Sequence, residues 1–320
     1  MQLINDKKYA LSELELKILR QVSLEGMSSE RELAKKLRLN QKTVNHAFKK
    51  LKKEKIVLGF KYRINPACIG LKSSAWIYIR QKQGISLDDL LKKLSEIQEC
   101  ELALMLAGYY DFALRIQCKN QEHLLKTIYA IEQKFKDFIK TYNVSLISKT
   151  IKKHQMIVEE KIFEPDKNEL LILKEKIENP EQKLNELAKK TGLHKNTVTK
   201  KWLDLINKKI VLKKSISINP MYFQEIGIDF KAIVFFDCEA GYSRQVATEL
   251  AKIESVHELD LLSSDHDIIA IVRLENASAF KDFQKKVHSN EKAFKSVIAT
   301  NSMILIDSIS SSAMKSILSK

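Results

Sequence analysis

The sequence predicts an α+β protein in which two winged helix-turn-helix domains alternate with two ferredoxin-like βαββαβ domains. Three observations lead there. Residues 32–66 (ELAKKLRLNQKTVNHAFKKLKKEKIVLGFKYRINP) and 186–220 (ELAKKTGLHKNTVTKKWLDLINKKIVLKKSISINP) match without a gap at 16 of 35 positions, at a constant offset of 154. Within each segment, apolar residues recur at helical spacing and then give way to short strand-like runs. After each Pro, both halves continue as strand, helix, two strands, long helix, strand, which is the ferredoxin-like order. The expected division is 1–66 and 157–220 for the winged helix-turn-helix domains, 67–156 and 221–320 for the βαββαβ domains.

Each element has a local reason. Leu14, Ile18 and Val22 mark one face of a first helix over residues 12–24, opened by the capping box Ser12 and Glu15. Ser29 and Glu32 repeat that signature before Leu33 and Leu37. Asn40 is the expected N-cap of a third helix whose buried face carries Val44, Phe48 and Leu51. Residues 56–58 and 60–64 read as two short strands closing a small wing around Gly59.

In the first βαββαβ unit we expect strands over 75–79, 101–106, 112–118 and 144–151, with helices over 87–97 and 121–138. In the second, strands are expected over 232–237, 257–262, 268–274 and 297–306, with helices over 243–253 and 278–287. Trp76 and Trp202 read as core, as do the four cysteines, which form no C-x-x-C pair.

Charge says what the repeat is for. The chain carries +15, and residues 40–62 and 194–216 each hold seven Lys against one acid, so these two windows supply twelve of the fifteen. Basic charge focused in this way points to a polyanion such as nucleic acid. No apolar run follows Met1, so neither a signal peptide nor a membrane span is expected, and the location expected is cytoplasmic.

A winged helix-turn-helix ending in Ile-Asn-Pro, followed by βαββαβ with Gly108-Tyr-Tyr-Asp111 between its second and third strands, resembles the Lrp/AsnC (feast/famine) family of transcription regulators, here as two tandem copies. The resemblance implies double-stranded DNA as partner and RAM/ACT-like βαββαβ domains that sense and dimerise. It further implies a small effector such as an amino acid near Gly108, Tyr109, Tyr110 and Asp111. The expected assembly is a homodimer, or an intramolecular pseudo-dimer with its two sensor sheets packed together. Two departures stand out. Lys55 and Lys209 occupy the place where members carry Gly at the end of the recognition helix, and Ser264 replaces the first Gly of the second turn, Ser264-Asp265-His266-Asp267.

The major groove admits a helix whose N-terminal half reaches base edges, while phosphates are held by Lys, Arg and hydroxyls. Gln41, Lys42, Asn45 and His46 are therefore the base-edge candidates in the first copy, and Lys195, Asn196, Thr199 and Lys200 in the second. Lys49, Lys50, Lys53, Lys61 and Arg63, with Lys201, Lys208, Lys213 and Lys214, are the phosphate candidates. Lys is a point charge rather than a bidentate reader of guanine, so sequence preference should be modest and salt dependence steep.

Catalysis is not expected, and neither a cofactor nor a metal. Siroheme decarboxylases share the two-domain plan but carry paired His and a Tyr-Asn near the second and third strands; residues 99–112 hold no His, and His257 and His266 do not match that spacing. The other alternative is an architectural protein that coats DNA, which the Lys-heavy readers also suit.

Overall fold

The structure, a computed structural model, describes residues 9–27, 29–84, 86–158, 161–289 and 293–310. Helices α1 (Glu13–Glu25), α2 (Glu30–Leu37) and α3 (Gln41–Lys53) open the chain. Their starts follow the caps read from sequence. Ser12 and Glu15 form the reciprocal box, Ser29 Oγ accepts from Glu32 N–H, and Asn40 Oδ1 accepts from Lys42 N–H at 2.8 Å. In the second half α6 (Lys167–Glu178), α7 (Leu184–Thr191) and α8 (Lys195–Asn207) repeat the arrangement, with His194 as N-cap of α8.

The wings depart from expectation. Residues 56–64 do not fold back as a hairpin; β1 (Val57–Ile64) is one strand passing through Gly59, and it pairs antiparallel with β7 (Val211–Ile218) of the other half. Lys61 faces Ser215, its own counterpart at the offset of 154, so a local twofold axis passes through that pair. Met27 exchanges two backbone hydrogen bonds with Lys214 on the other side of β7. Each wing strand therefore satisfies its backbone with the opposite half.

The cores are exchanged in the same way. Ile18, Leu33, Val44, Phe48 and Leu51 of the first three-helix unit close over Tyr222, Ile226 and Ile228, which follow β7 around the short helix α9 (Phe223–Ile226). Ile172, Leu187, Val198, Trp202 and Leu205 of the second close over Ile64 and Cys68. Each of those buried isoleucines contributes roughly 1.5–3 kcal/mol. Division at residues 66 and 220 therefore does not separate independent cores.

The first βαββαβ unit consists of β2 (Ser73–Gln81), α4 (Leu87–Ser95), β3 (Cys100–Ala107), β4 (Phe112–Cys118), α5 (Gln121–Phe135) and β5 (Ile139–Lys153), with the short β6 (Met156–Ile157) paired to the end of β5. The second consists of β8 (Phe230–Cys238), α10 (Ser243–Lys252), β9 (Val256–Ser263), β10 (Ile268–Leu274), α11 (Ala277–Val287) and β11 (Val297–Ser310). The element order is as read, but the two sheets do not pack face to face. The order β2-β4-β3-β11-β8-β10-β9-β5 closes through a β5–β2 pairing into one eight-stranded antiparallel barrel.

The long strands β5 and β11 make the closure. Each pairs with its own sheet over one half of its length and with the other sheet over the rest. Closure removes both sheet edges, and eight strands enclose an interior that side chains can fill. Alternation then assigns the faces. Ala75, Ile77, Leu114 and Ile116 pack under α4 and α5, and Val234, Phe236, Ile268 and Ala270 under α10 and α11. Trp76, Tyr78, Ile233, Phe235, Ile271 and Met303 point into the barrel. Trp76, Trp202 and the four cysteines are buried, as the sequence suggested. No helix among the described residues is long and apolar enough to cross a membrane.

Candidate functional site

The two recognition helices present polar faces outward. On α3, Gln41, Lys42, Asn45, His46, Lys49, Lys50 and Lys53 are exposed, while Val44, Ala47, Phe48 and Leu51 are buried. On α8, Lys195, Asn196 and Lys200 are exposed and Thr199 is half-buried, its hydroxyl donating to Lys195 O at 3.0 Å. The first turn of each helix leaves backbone N–H groups that suit phosphate oxygens.

The phosphate candidates divide. Lys50 is exposed although its Nζ lies 3.6 Å from Glu15. Lys201 is bound to Asp166, the N-cap of α6, at 2.5 Å, and Lys208 to the buried Glu169 at 2.8 Å. The wing residues depart from the reading most. Lys213 and Lys214 are buried in β7, where the Lys214 ammonium lies 3.3 Å from Glu30 and 4.2 Å from the Phe60 ring centroid. Arg63 donates to Ser215 Oγ at 3.2 Å and faces the end of the barrel; Lys61 donates to Ser310 Oγ at 2.9 Å. These four serve the junction between the halves rather than an outer surface. A single wing strand, with a neighbour on its far side, turns lysines inward that a free hairpin would expose.

Lys55 and Lys209, where the family resemblance implies Gly, take that residue's conformation, at φ 53° and 55°. The left-handed region disfavours a side chain by about 1–2 kcal/mol. Both helices thus end by the same turn at a conformational cost.

The turn expected to hold an effector is a structural joint. A Cβ on Gly108 would meet Met303 Cγ at 2.5 Å, so Gly lets β11 of the other half pack closely. Asp111 bonds a neighbouring strand rather than its own turn: its carboxylate accepts from Gln81 N–H at 2.8 Å, and its N–H donates to Ile79 O. Asp267 does the same to Cys238 and Phe236 in the second half. Tyr110 packs on Tyr78 at 5.3 Å, and Tyr109 is 63% exposed.

Sequence reasoning missed a buried charge cluster at the barrel end beneath the β1–β7 ribbon. Arg115 on β4 lies at its centre, with Glu258 at 2.7 Å, Asp260 at 3.0 Å and Glu101 at 3.5 Å. Trp76 Nε1–H and Thr150 Oγ1–H both donate to Asp260, and Lys153 pairs with Glu101 at 2.5 Å. His154 Nδ1 lies 3.0 Å from Glu258, and its ring centroid is 5.9 Å from that of His257. Three carboxylates, Glu101, Glu258 and Asp260, come together here around one guanidinium. No local pattern could show it, since the members come from five strands: Trp76 from β2, Glu101 from β3, Arg115 from β4, Thr150 and Lys153 from β5, and His257, Glu258 and Asp260 from β9.

Burial and the nearby Arg63 push His154 down to about 3, and burial with Arg273 pushes His257 well below its usual range. Burial alone would raise Glu101, but Lys153 and Arg115 outweigh it and lower it to about 2. Asp260 is raised, because burial outweighs Arg115. His154, His257 and Glu258 offer ligand atoms within 4.8 Å of one another, the geometry of a metal site. The setting opposes one. Arg63, Arg115, Lys153, Lys231 and Arg273 surround these atoms, and a dication would meet repulsion from each.

Comparison with known proteins matches residues 11–57 to a winged helix-turn-helix DNA-binding family. The HTH-type transcriptional regulator Ptr1 of Methanocaldococcus jannaschii is 30% identical over 118 residues, 36% of this chain and 78% of that protein. The HTH-type transcriptional regulator FL11 of Pyrococcus abyssi is 26% identical over 117 residues, 37% of this chain and 77% of that one. Among solved structures, the siroheme decarboxylase NirDL superposes with a TM-score of 0.60 at 13% identity, covering 93% of this chain and 92% of its own. That likeness is one of fold.

Proposed function

The chain belongs to the HTH-type transcriptional regulators of Lrp/AsnC type, and from that premise we propose that it reads double-stranded DNA through two non-identical helices, α3 and α8. One observation carries this reading. The two helices are capped alike and turn lysines and amides outward, while Val44, Phe48 and Leu51 of one and Val198, Trp202 and Leu205 of the other are buried. On this reading the chain is a tandem fusion with segments 1–66, 67–156, 157–220 and 221–320, acting in the cytoplasm as an intramolecular pseudo-dimer. The repeat at offset 154, the twofold pairing of Lys61 with Ser215 and the matching roles of Asp111 and Asp267 support the fusion. Its DNA site would then be asymmetric rather than palindromic. A small effector such as an amino acid near Gly108, Tyr109, Tyr110 and Asp111 would have to sit beside the Tyr109 side chain, since Met303 closes the space over Gly108.

Fluorescence anisotropy with a duplex of the protein's own upstream region and with a scrambled duplex, over a salt series, tests the reading. Tight, salt-sensitive binding that prefers the native duplex supports it. Equal binding to both duplexes would make the protein an architectural coat, and no binding at low salt would overturn DNA recognition.

A second reading, tetrapyrrole decarboxylation, is favoured by the buried His154–His257 pair within a fold shared with NirDL. A Soret band on mixing the purified protein with haem would support it; unchanged haem absorbance would remove it.

A further inference from the structure

At the barrel end, a cavity of about 120 Å³ lies among Arg63, Lys231, Arg273, His154 and His257 and shares Arg63 and His154 with a neighbouring cleft of about 410 Å³. We infer that this cavity is a binding site for a small oxyanion of charge near −2, a site separate from both recognition helices and independent of whether they bind DNA.

The first argument is charge. Five cations, Arg63, Arg115, Lys153, Lys231 and Arg273, stand against the enclosed carboxylates Glu101, Glu258 and Asp260, with the exposed Asp229 and Asp307 acting on Lys231 from outside. The carboxylates are already engaged: Glu258 and Asp260 by Arg115, and Glu101 by Lys153. Arg63, Lys231 and Arg273, each half-buried, remain on the cavity wall with no carboxylate within ion-pair distance among the described residues; Arg63 donates to Ser215 Oγ and the Lys231 ammonium lies 3.9 Å from the Phe223 ring centroid. A buried cation without a counter-charge is costly unless something supplies one.

The second argument is hydrogen bonding. Arg273 Nε is enclosed and has no hydrogen-bond partner, and the same holds for Nδ1 of His257, whose side chain is only 4% exposed. Buried polar atoms are rarely left in this state, and the two at one cavity indicate a missing partner: an acceptor for Arg273 Nε–H and, in the tautomer with the proton on Nδ1, for His257 as well. Ser308 and Ser310 add hydroxyls on the same wall.

The third argument is size. The cavity matches the liquid volume of about four waters, on the order of a phosphate or a short dicarboxylate. Several members also come from elements that join the halves: Arg63 lies on β1, His154 at the end of β5 and Ser308 on β11. Such a ligand would tie the recognition ribbon to the barrel.

Thermal midpoints and calorimetric titration of the full chain test this, with inorganic phosphate and succinate as separate arms against sodium chloride at equal ionic strength. We expect a saturable rise in the midpoint with at least one of the two, at a stoichiometry of one. Arg273→Met should weaken binding by tenfold or more, and Arg273→Lys should restore most of it. Because Arg273→Met removes a half-buried cation that has no ion-pair partner, the anion-free variant should melt no lower than the wild type. Lys126→Ala, which removes an exposed cation on α5, controls for net charge. The inference is overturned if chloride reproduces the rise, if the rise survives Arg273→Met, or if that variant melts well below the wild type without anion.

Discussion

The two halves share a backbone plan yet differ at equivalent places, inside and out. Strand register makes the positions comparable. Phe112 pairs with Ile79 as Ile268 pairs with Phe236, so Arg115 corresponds to Ile271 and Trp76 to Ile233. Likewise Leu102 and Leu104 correspond to Glu258 and Asp260, and the bulged Glu101 to His257. The first half thus provides the central cation and the second half most of its carboxylates, a complementarity available only when the halves share one interior. On the outside, α3 carries Lys49, Lys50 and Lys53 where α8 carries Leu203, Asp204 and Asn207. Basic charge runs the length of α3 but is confined to the first two turns of α8's outer face, so the proposed DNA binding should rest more on α3 than on α8.

The sharpest contrast is expected in the barrel. Arg115→Ala strands Glu258 and Asp260 without their cation and should cost about 3–5 kcal/mol. Its apolar counterpart Ile271→Val should cost only about 0.5–1.5 kcal/mol. Urea denaturation of both variants measures the difference, and equal losses would break the comparison.

Acid should act next, through the second half's His257 and through His154. Both histidines are held neutral in the folded chain, whereas in the unfolded chain they protonate near pH 6.5. Protons therefore favour unfolding. Stability should fall as pH drops below about 6.5, by up to about 1.4 kcal/mol per pH unit for each histidine, down to about pH 3 for His154. Denaturation at pH 7, 6 and 5 reads this slope, and His154→Gln should remove one proton from it.

At the DNA surface, Lys49→Ala with Lys53→Ala should lower the salt slope of binding by about two, one for each phosphate contact. Leu203→Lys should restore to α8 what α3 already has and steepen the slope by about one. Anisotropy over a salt series checks both. The smallest effect is shared by the halves: Lys55→Gly and Lys209→Gly relieve a left-handed residue and should each stabilise by at most about 1 kcal/mol, read by urea denaturation.

Local features were the legible ones. Ser12, Ser29 and Asn40 cap the helices they mark in the sequence, and the strands Phe112–Cys118 and Ile268–Leu274 end where their apolar runs end. Partner choice was not legible, because alternation fixes which face a residue takes but not which strand lies beside it. Hence the wing was read as a hairpin rather than a β1–β7 ribbon, and two sheets were expected where one barrel forms. The same gap hid the functional candidates. Arg63, Lys213 and Lys214 read as surface charge because their covering strand belongs to the other half, and His154 met His257 only through β5–β9 pairing.

The most direct test of the account compares salt-dependent anisotropy of the wild type with two double variants, Lys49→Ala/Lys53→Ala on α3 and Lys195→Ala/Lys200→Ala on α8. The account predicts tight binding by the wild type and a larger loss of affinity from the α3 pair. Equal or greater loss from the α8 pair, or a wild type that fails to bind at low salt, would contradict it.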